Sequence, residues 1–293
     1  MIKSMTGFGR GEYSDGKRSI IAEIKTVNHR YSDINVKMPK RYSFAEEIKS
    51  AVKQKIKRGK AEISIMVENL TEDDMTVKLN TLIAKQYIDN LNELKSTYGL
   101  DGDVDIKLIA SMPDVMKAIP EVDDEEEVIK AMVEAASAAA ESLDAMRAVE
   151  GEKLKEDLLM RGELIRDIVR NIEVRAPLVV KDYTEKLYNR IKELTEGAVD
   201  VPEDRILMEA AVFADKSNIT EELVRLDSHM IQLRKILTSE TSPVGKKLDF
   251  LVQEMNREAN TIGSKSNDMQ ITSLMLETKS EIEKIREQIQ NIE

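Results

Sequence analysis

Apolar positions recur at alternating spacings of four and three through the last third of the chain. Ile219, Leu223, Leu226, Met230, Leu233 and Leu237 make one series. Leu248, Val252, Met255, Ala259 and Ile262 make a second; Ile271, Met275, Thr278, Ile282, Ile285, Ile289 and Ile292 make a third. This period lays each series along one stripe of a helix, and such stripes pack nearly parallel or antiparallel to partner helices. Three successive helices are therefore predicted over residues 219–293. Asn218 caps the first. Ser242 and Pro243 suit the N-cap and first position of the second. Gly263-Ser264 is the expected junction between the second and third.

The start of the chain follows a different period. Residues 2–13 read as a strand loosened by Gly7, Gly9 and Gly11, and Ser14-Asp15-Gly16-Lys17 reads as a turn into a second strand. Ile20, Ala22 and Ile24 alternate, as do Ile34, Val36 and Met38, then Ile63, Ile65 and Val67, then Val77 and Leu79. Ser43-Phe44-Ala45-Glu46 has the form of a capping box, ahead of an inward set of Phe44, Ile48, Val52 and Ile56. No strand is expected after Asn80. A helix spans Leu82 to Tyr98 and stops at Gly99, and a short one follows Asp103. The acidic run 123–127 suits a helix N-terminus. Long helical arms follow, with a bend expected near Pro177. The fold class is α+β: an N-terminal antiparallel-rich sheet domain (1–115), long helical arms (116–202), and a C-terminal helical bundle with coiled-coil character (203–293).

Composition narrows the chemistry. Of 293 residues, 34% are charged and 4% aromatic, which suits long surface-rich helices. Cysteine is absent, which removes disulfides, thiol catalysis and Cys-ligated zinc. No leader or membrane-spanning run is apparent, so a cytoplasmic location is expected. The net charge is −11, yet residues 1–70 hold fifteen Lys and Arg against eight Asp and Glu. A basic first segment on an acidic chain can still bind a polyanion locally.

Two constellations stand out. His229 follows Glu222 by seven residues and Arg225 by four, so the three share a helix face beside the apolar seam. If the three C-terminal helices pack along their seams, that face approaches Glu254, Arg257 and Glu258. Imidazole exchanges protons near neutral pH, and several carboxylates hold Mg²⁺ or Mn²⁺. The same residues also fit a solvated coiled-coil flank laced with ion pairs. The second constellation is His29 with Arg10, Arg58 and Lys60. It reads either as a cationic surface for a phosphodiester backbone, with Phe8 and Tyr31 stacking on bases, or as a solvated sheet edge. Thr6-Gly7-Phe8-Gly9-Arg10-Gly11 is not a dinucleotide loop, because no strand precedes it and the G-x-G-x-x-G spacing is missing.

Three stretches carry a resemblance. They are the opening MIKSMTGFGR, Val27-Asn28-His29-Arg30-Tyr31 with Arg58-Gly59-Lys60, and the C-terminal segments EELVRLDSH (221–229), GKKLDFLVQEMNREANT (245–261), SKS (264–266) and REQIQNIE (286–293). In order and position they resemble the YicC/YloC family over nearly the whole length. The resemblance implies a metal-dependent endoribonuclease of bacterial RNA turnover, acting on single-stranded RNA as a homohexamer whose interior takes up RNA. By position it carries over Arg30, Arg58, Lys60, Glu221, Glu222, Arg225, His229, Asp249, Glu254, Arg257, Glu258, Asn260 and Lys265 as motif residues. Residue type and helix phase then suggest the roles: His229, Glu222, Glu254 and Glu258 would be catalytic. Glu254, Glu258 and Asp249 would hold Mg²⁺ or Mn²⁺, and Arg10, Arg30, Arg58, Lys60, Arg225, Arg257 and Lys265 would bind RNA. Two positions depart from the family pattern: Asn218, where the family often has Asp, and Lys246-Lys247, where it tends to have Arg. A non-catalytic adaptor that presents RNA to another nuclease uses the same basic patch and needs no metal. A coiled-coil scaffold leaves the polar crowd at 254–268 without a purpose.

Overall fold

The structure, a computed structural model, describes residues 2–29, 31–56, 59–70, 75–120, 124–196, 202–239 and 244–293. The N-terminal sheet has four strands. β1 (Gly7–Ser14) and β2 (Arg18–Val27) form the predicted hairpin. Asp15 accepts hydrogen bonds from the Lys17 and Arg18 amides, and Gly16 takes φ +83°, a left-handed value that glycine adopts freely. β3 (Asp33–Lys37) leads through helix α1 (Ala45–Lys53) to β4 (Lys60–Asn69), and the order is β1-β2-β4-β3. Two pairings are antiparallel; β3 runs parallel to β4 because α1 makes a crossover between them. Ile20, Ala22 and Ile24 of β2 and Ala61, Ile63 and Ile65 of β4 are all buried. Ile48, Val52 and Ile56 cover them. The capping box is not formed: Phe44 is the N-cap and no side chain caps α1.

A smaller unit follows. β5 (Met75–Leu79) pairs antiparallel with β6 (Met116–Pro120), and between them lie α2 (Thr81–Tyr98) and α3 (Ile106–Ser111). β6 corrects the expectation that strands end before Asn80. Its partner lies some forty residues upstream, a pairing that local alternation does not announce. Asn80 and Asp105 cap α2 and α3, and Gly99 ends α2 at φ +65°.

α4 (Glu125–Leu194) is one helix of 70 residues, roughly 105 Å at 1.5 Å per residue. Asp124 caps it and Glu125, Glu126 and Glu127 fill its first turn, as the acidic run predicted. The two arms are one continuous helix, and Pro177, where the bend is expected, sits inside it. Proline costs a helix interior about 3 kcal/mol. Buried residues on both sides of it, Ile165, Ile168, Val169, Ile172 and Val179, hold the helix against its neighbours and offset that cost.

The first half of α4 lies on β1 at very close range. A Cβ on Gly9 would stand 2.1 Å from the Ala139 carbonyl oxygen, and one on Gly11 would stand 2.3 Å from that of Ala135. The glycines of the opening strand thus serve helix–sheet contact, and Ala135, Ala136, Ala139 and Ala140 are the matching small residues. The second half of α4 joins α5 (Glu203–Lys216), α6 (Thr220–Ser239), α7 (Gly245–Lys265) and α8 (Met269–Ile289) in a second core. All three predicted apolar series are buried there, including the threonine, Thr278. Ser242 and Pro243 lie outside the described residues. The α7–α8 bend falls at residues 266–268 rather than at Gly263-Ser264. Asn267 takes φ +43° and Asp268 caps α8, so the turn needs no glycine.

The two cores meet where the chain ends meet α4. Lys3 and Glu293 exchange backbone hydrogen bonds, and the Met5 amide donates to Asn291. Arg147 of α4, 2% exposed, donates to the Ser4 carbonyl and to the Glu293 carboxylate. No helix among the described residues is long and apolar enough to cross a membrane.

Candidate active site on the α6–α7 seam

α6 and α7 pack through their apolar series, and a polar strip runs along one edge of that seam. Glu254 and Glu258 are four residues apart, so they share a face of α7. His229 of α6 meets them: one ligand atom from each of the three lies within 4.8 Å of the others. A six-coordinate ion with bonds of about 2.1 Å takes ligands about 3 to 4 Å apart, so a small side-chain adjustment closes the set. Glu258 is buried, and His229 and Glu254 are partly buried. The His229 Nδ1 is buried and has no hydrogen-bond partner. A buried imidazole nitrogen without a partner is costly in an apolar setting but suits a nitrogen that takes a ligand. The two carboxylates suit Mn²⁺ or Mg²⁺ in kind, whereas an imidazole ligand suits a transition metal better than Mg²⁺.

One turn along, Arg225 stands between the acids: it pairs with Glu221 and lies 3.7 Å from Glu258. Arg225 is exposed, so its guanidinium borders both the cluster and solvent. A further turn on, Lys265 donates to Glu222 at 2.7 Å. Burial of Glu222 works against its charge. The Lys265 hydrogen bond and the nearby Arg225 charge outweigh that, and its carboxyl titrates below the usual range. Glu222 Oε2 is buried and unpartnered.

The structure therefore divides the expected residues. It brings together His229, Glu254 and Glu258, with Arg225 beside them. Glu222 is not in that cluster. It lies two turns from His229, roughly 10 Å along α6, and is engaged by Lys265. Asp249 is also apart from it. Five residues before Glu254 is about 500° of helix, which turns it to a different face. Asp249 accepts from Gln253 and lines a separate cavity of about 270 Å³ with Asn28, Lys246 and Gln290. Arg257, one residue from Glu258, is exposed to solvent.

Among the basic residues of the sheet, Arg10 is exposed and bonded to Glu12, and Lys60 stands 3.9 Å from Glu62. Arg30 and Arg58 lie outside the described residues. Asn28 donates to the Gln290 carbonyl at 2.6 Å, which ties that end of the sheet to the end of α8.

Sequence reasoning missed Arg175. From α4 it grips Asp268 at 2.8 Å and Asp182 at 2.6 Å. This contact lowers the Asp268 carboxyl and raises the guanidinium, and it steadies the bend that follows Lys265. Nothing local marks its grip on Asp268, which lies 93 residues away.

Comparison with known proteins divides the chain into two regions. Residues 2–156 match the family model described as endoribonuclease YicC-like, N-terminal region, and residues 163–293 match endoribonuclease YicC-like, C-terminal. The chain belongs to the YicC-like endoribonuclease family. The boundary between the two YicC-like regions falls within α4, close to where its packing changes from the sheet to the bundle. The site residues all lie in the YicC-like C-terminal region. Among curated relatives, the chain is 45% identical over 295 residues to the probable endoribonuclease YicC of Clostridioides difficile (strain 630). It is 31% identical over 294 residues to the probable endoribonuclease YicC of Haemophilus influenzae (strain ATCC 51907 / DSM 11121 / KW20 / Rd). In both cases the match covers 100% of each chain.

Proposed function

We propose that this protein is an endoribonuclease that hydrolyses phosphodiester bonds of single-stranded RNA in bacterial RNA turnover. In this reading it uses a divalent ion held by Glu254, Glu258 and His229, and works in the cytoplasm as a homohexamer. The observation that carries the reading is the convergence of those three side chains on the α6–α7 seam. Glu254 and Glu258 would hold the ion, and His229 would ligate it through the unpartnered nitrogen or pass a proton at the cleaved bond. A divalent ion bound there supplies Lewis-acid polarisation of the phosphate and a lowered pKa for water. Arg225, 3.7 Å from Glu258, would neutralise the phosphate. Arg257 and Lys265 extend the cationic edge along the same helices, while Arg10 and Lys60 would hold RNA farther away. Glu222, kept ionised by Lys265, acts on the position of Lys265 rather than on the reacting atoms.

The test is cleavage of a labelled single-stranded RNA with Mn²⁺ or Mg²⁺ by the purified protein and by Glu258→Gln and His229→Ala. Loss of 10²-fold or more in each, with folding intact, is expected. Full activity in both removes the site. Cleavage that separates from the protein on a column favours the adaptor.

A further inference from the structure

We infer, resting on that RNA-cleaving reading, that the cavity at the start of α7 is a subsite for one base of the substrate, and that the base is guanine. The cavity holds about 270 Å³. That is below the roughly 300–1,000 Å³ of pockets for drug-sized ligands and suits a single nucleobase. Met5 and Ile289, both buried, give it an apolar wall. Asn28, Lys246, Asp249 and Gln290 give it a polar lining, and all four are exposed, so a ligand can reach them from solvent. The end of β2, the start of α7 and the end of the chain therefore build it together. The bond from Asn28 to the Gln290 carbonyl holds two of these parts in place.

The charges of the lining select the ligand. Lys246 and Asp249 are three residues apart on α7, and Arg190 and Glu193 of α4 form an ion pair at the same spacing and in the same order. Among the described residues, Lys246 and Asp249 form no ion pair, with each other or elsewhere. Asp249 accepts one bond, from Gln253, which leaves most of its acceptor capacity unused. A ligand that satisfies both groups must accept from an ammonium and donate to a carboxylate. Bare phosphate fails, because Asp249 repels it. A wholly apolar ligand fails, because it would bury both charges without partners. The edge of a base does both. Guanine alone presents two adjacent donors, N1–H and the N2 amine, to one carboxylate, and its O6 and N7 accept from a lysine. Adenine, cytosine and uracil each offer the carboxylate a single donor group.

The cavity is also within reach of a strand held at the metal-ligand cluster. Asp249 precedes Glu254 by five residues, about 7.5 Å of helix. Phe250 follows Asp249, is 63% exposed, and lies four residues before Glu254 on the same face of α7. An exposed ring there offers a stacking surface between the cleaved bond and the cavity. A strand whose phosphate meets Glu254 and Glu258 can therefore run over Phe250 and lay a neighbouring base against Asp249 and Lys246. Asp249, which stands apart from the metal-ligand cluster, reads the substrate instead.

Binding measured without cleavage tests this. The probes are labelled oligouridylates of one length carrying a single central guanine, adenine or hypoxanthine, titrated with the full-length protein in EDTA and followed by fluorescence anisotropy. The guanine oligomer should bind at least about tenfold more tightly than the adenine one. Hypoxanthine, which lacks the N2 amine, should fall between them. Asp249→Asn should bring all three within about twofold of one another, because an amide cannot accept both donors. Asp249 is exposed, so this change does not threaten the fold. Equal affinity for the three oligomers in wild type overturns the inference and leaves the nuclease reading standing. A guanine preference that survives Asp249→Asn also overturns it, since the base is then read elsewhere. So does competition by guanosine monophosphate at concentrations equal to the oligomer, which assigns the cavity to a free nucleotide. Failure to bind any oligomer removes the RNA reading itself, and the inference with it.

Discussion

The two halves of α4 solve the same packing problem in opposite ways. Against the sheet, the helix presents alanines and β1 presents glycines, and the backbones nearly touch. Against α6 and α8, it presents Ile165, Ile168, Val169 and Ile172 to other large aliphatics. The first contact is set by the absence of atoms and the second by their presence. Added bulk should therefore break the sheet half, and removed bulk should weaken the bundle half. The bundle half leaves an edge where polar side chains of adjacent helices converge, and the candidate site lies there.

The largest expected effect comes from adding one methyl group. In Gly9→Ala the new Cβ meets backbone at 2.1 Å, and no side chain can rotate away to make room. Overpacking costs about 1–3 kcal/mol where neighbours can shift, and more where they cannot. The variant should lose soluble folded protein. A melting temperature within a few degrees of wild type would show that helix and sheet can separate freely.

Next is Arg147→Met, which removes the cation linking the two cores. Breaking a buried charged pair costs about 3–5 kcal/mol, because the partner stays desolvated. Glu293 is 21% exposed, which puts the expected loss at the low end. Urea unfolding should also show a less cooperative transition, since the sheet and bundle share this contact. A single unchanged transition would contradict that.

On the bundle side, Leu226→Ala empties a site that is 0% exposed and should cost about 2–5 kcal/mol without loss of fold. Gly9→Ala and Leu226→Ala together test the contrast. Equal losses of folded protein in the two would erase it.

The smallest effect is at the bend. Asp268→Ala removes a helix cap, worth about 1 kcal/mol. It also carries a pH signature. Arg175 and backbone donors hold the Asp268 carboxyl below its usual value. A depressed folded pKa gives stability that is present above the unfolded pKa and lost as pH falls through the folded one. Wild type should therefore lose stability below about pH 4 more steeply than Asp268→Asn. Parallel acid-denaturation curves would exclude the Arg175 contact as the cause.

How much of this was legible depended on distance along the chain. The three helices of 219–293 were readable because each apolar series is local and complete, down to Thr278. The glycines of β1 were visible but not their purpose, which needs Ala135 and Ala139 more than a hundred residues away. Pro177 was read by local rule as the joint between two arms; the helix runs on through it, with buried residues on both sides. β6 and Arg175 were missed because their partners are remote. At the site, helix phase joined Glu254 to Glu258; Asp249 was grouped with them although the same phase turns it to another face, and the meeting with His229 followed only from how α6 and α7 pack.

The most direct measurement is Mn²⁺-dependent cleavage of a labelled single-stranded RNA by wild type and Glu258→Gln, with matched circular dichroism and melting temperature. The account predicts cleavage that chelation abolishes in wild type, and at least 10²-fold slower cleavage in the variant. Equal rates from two equally folded proteins would contradict it.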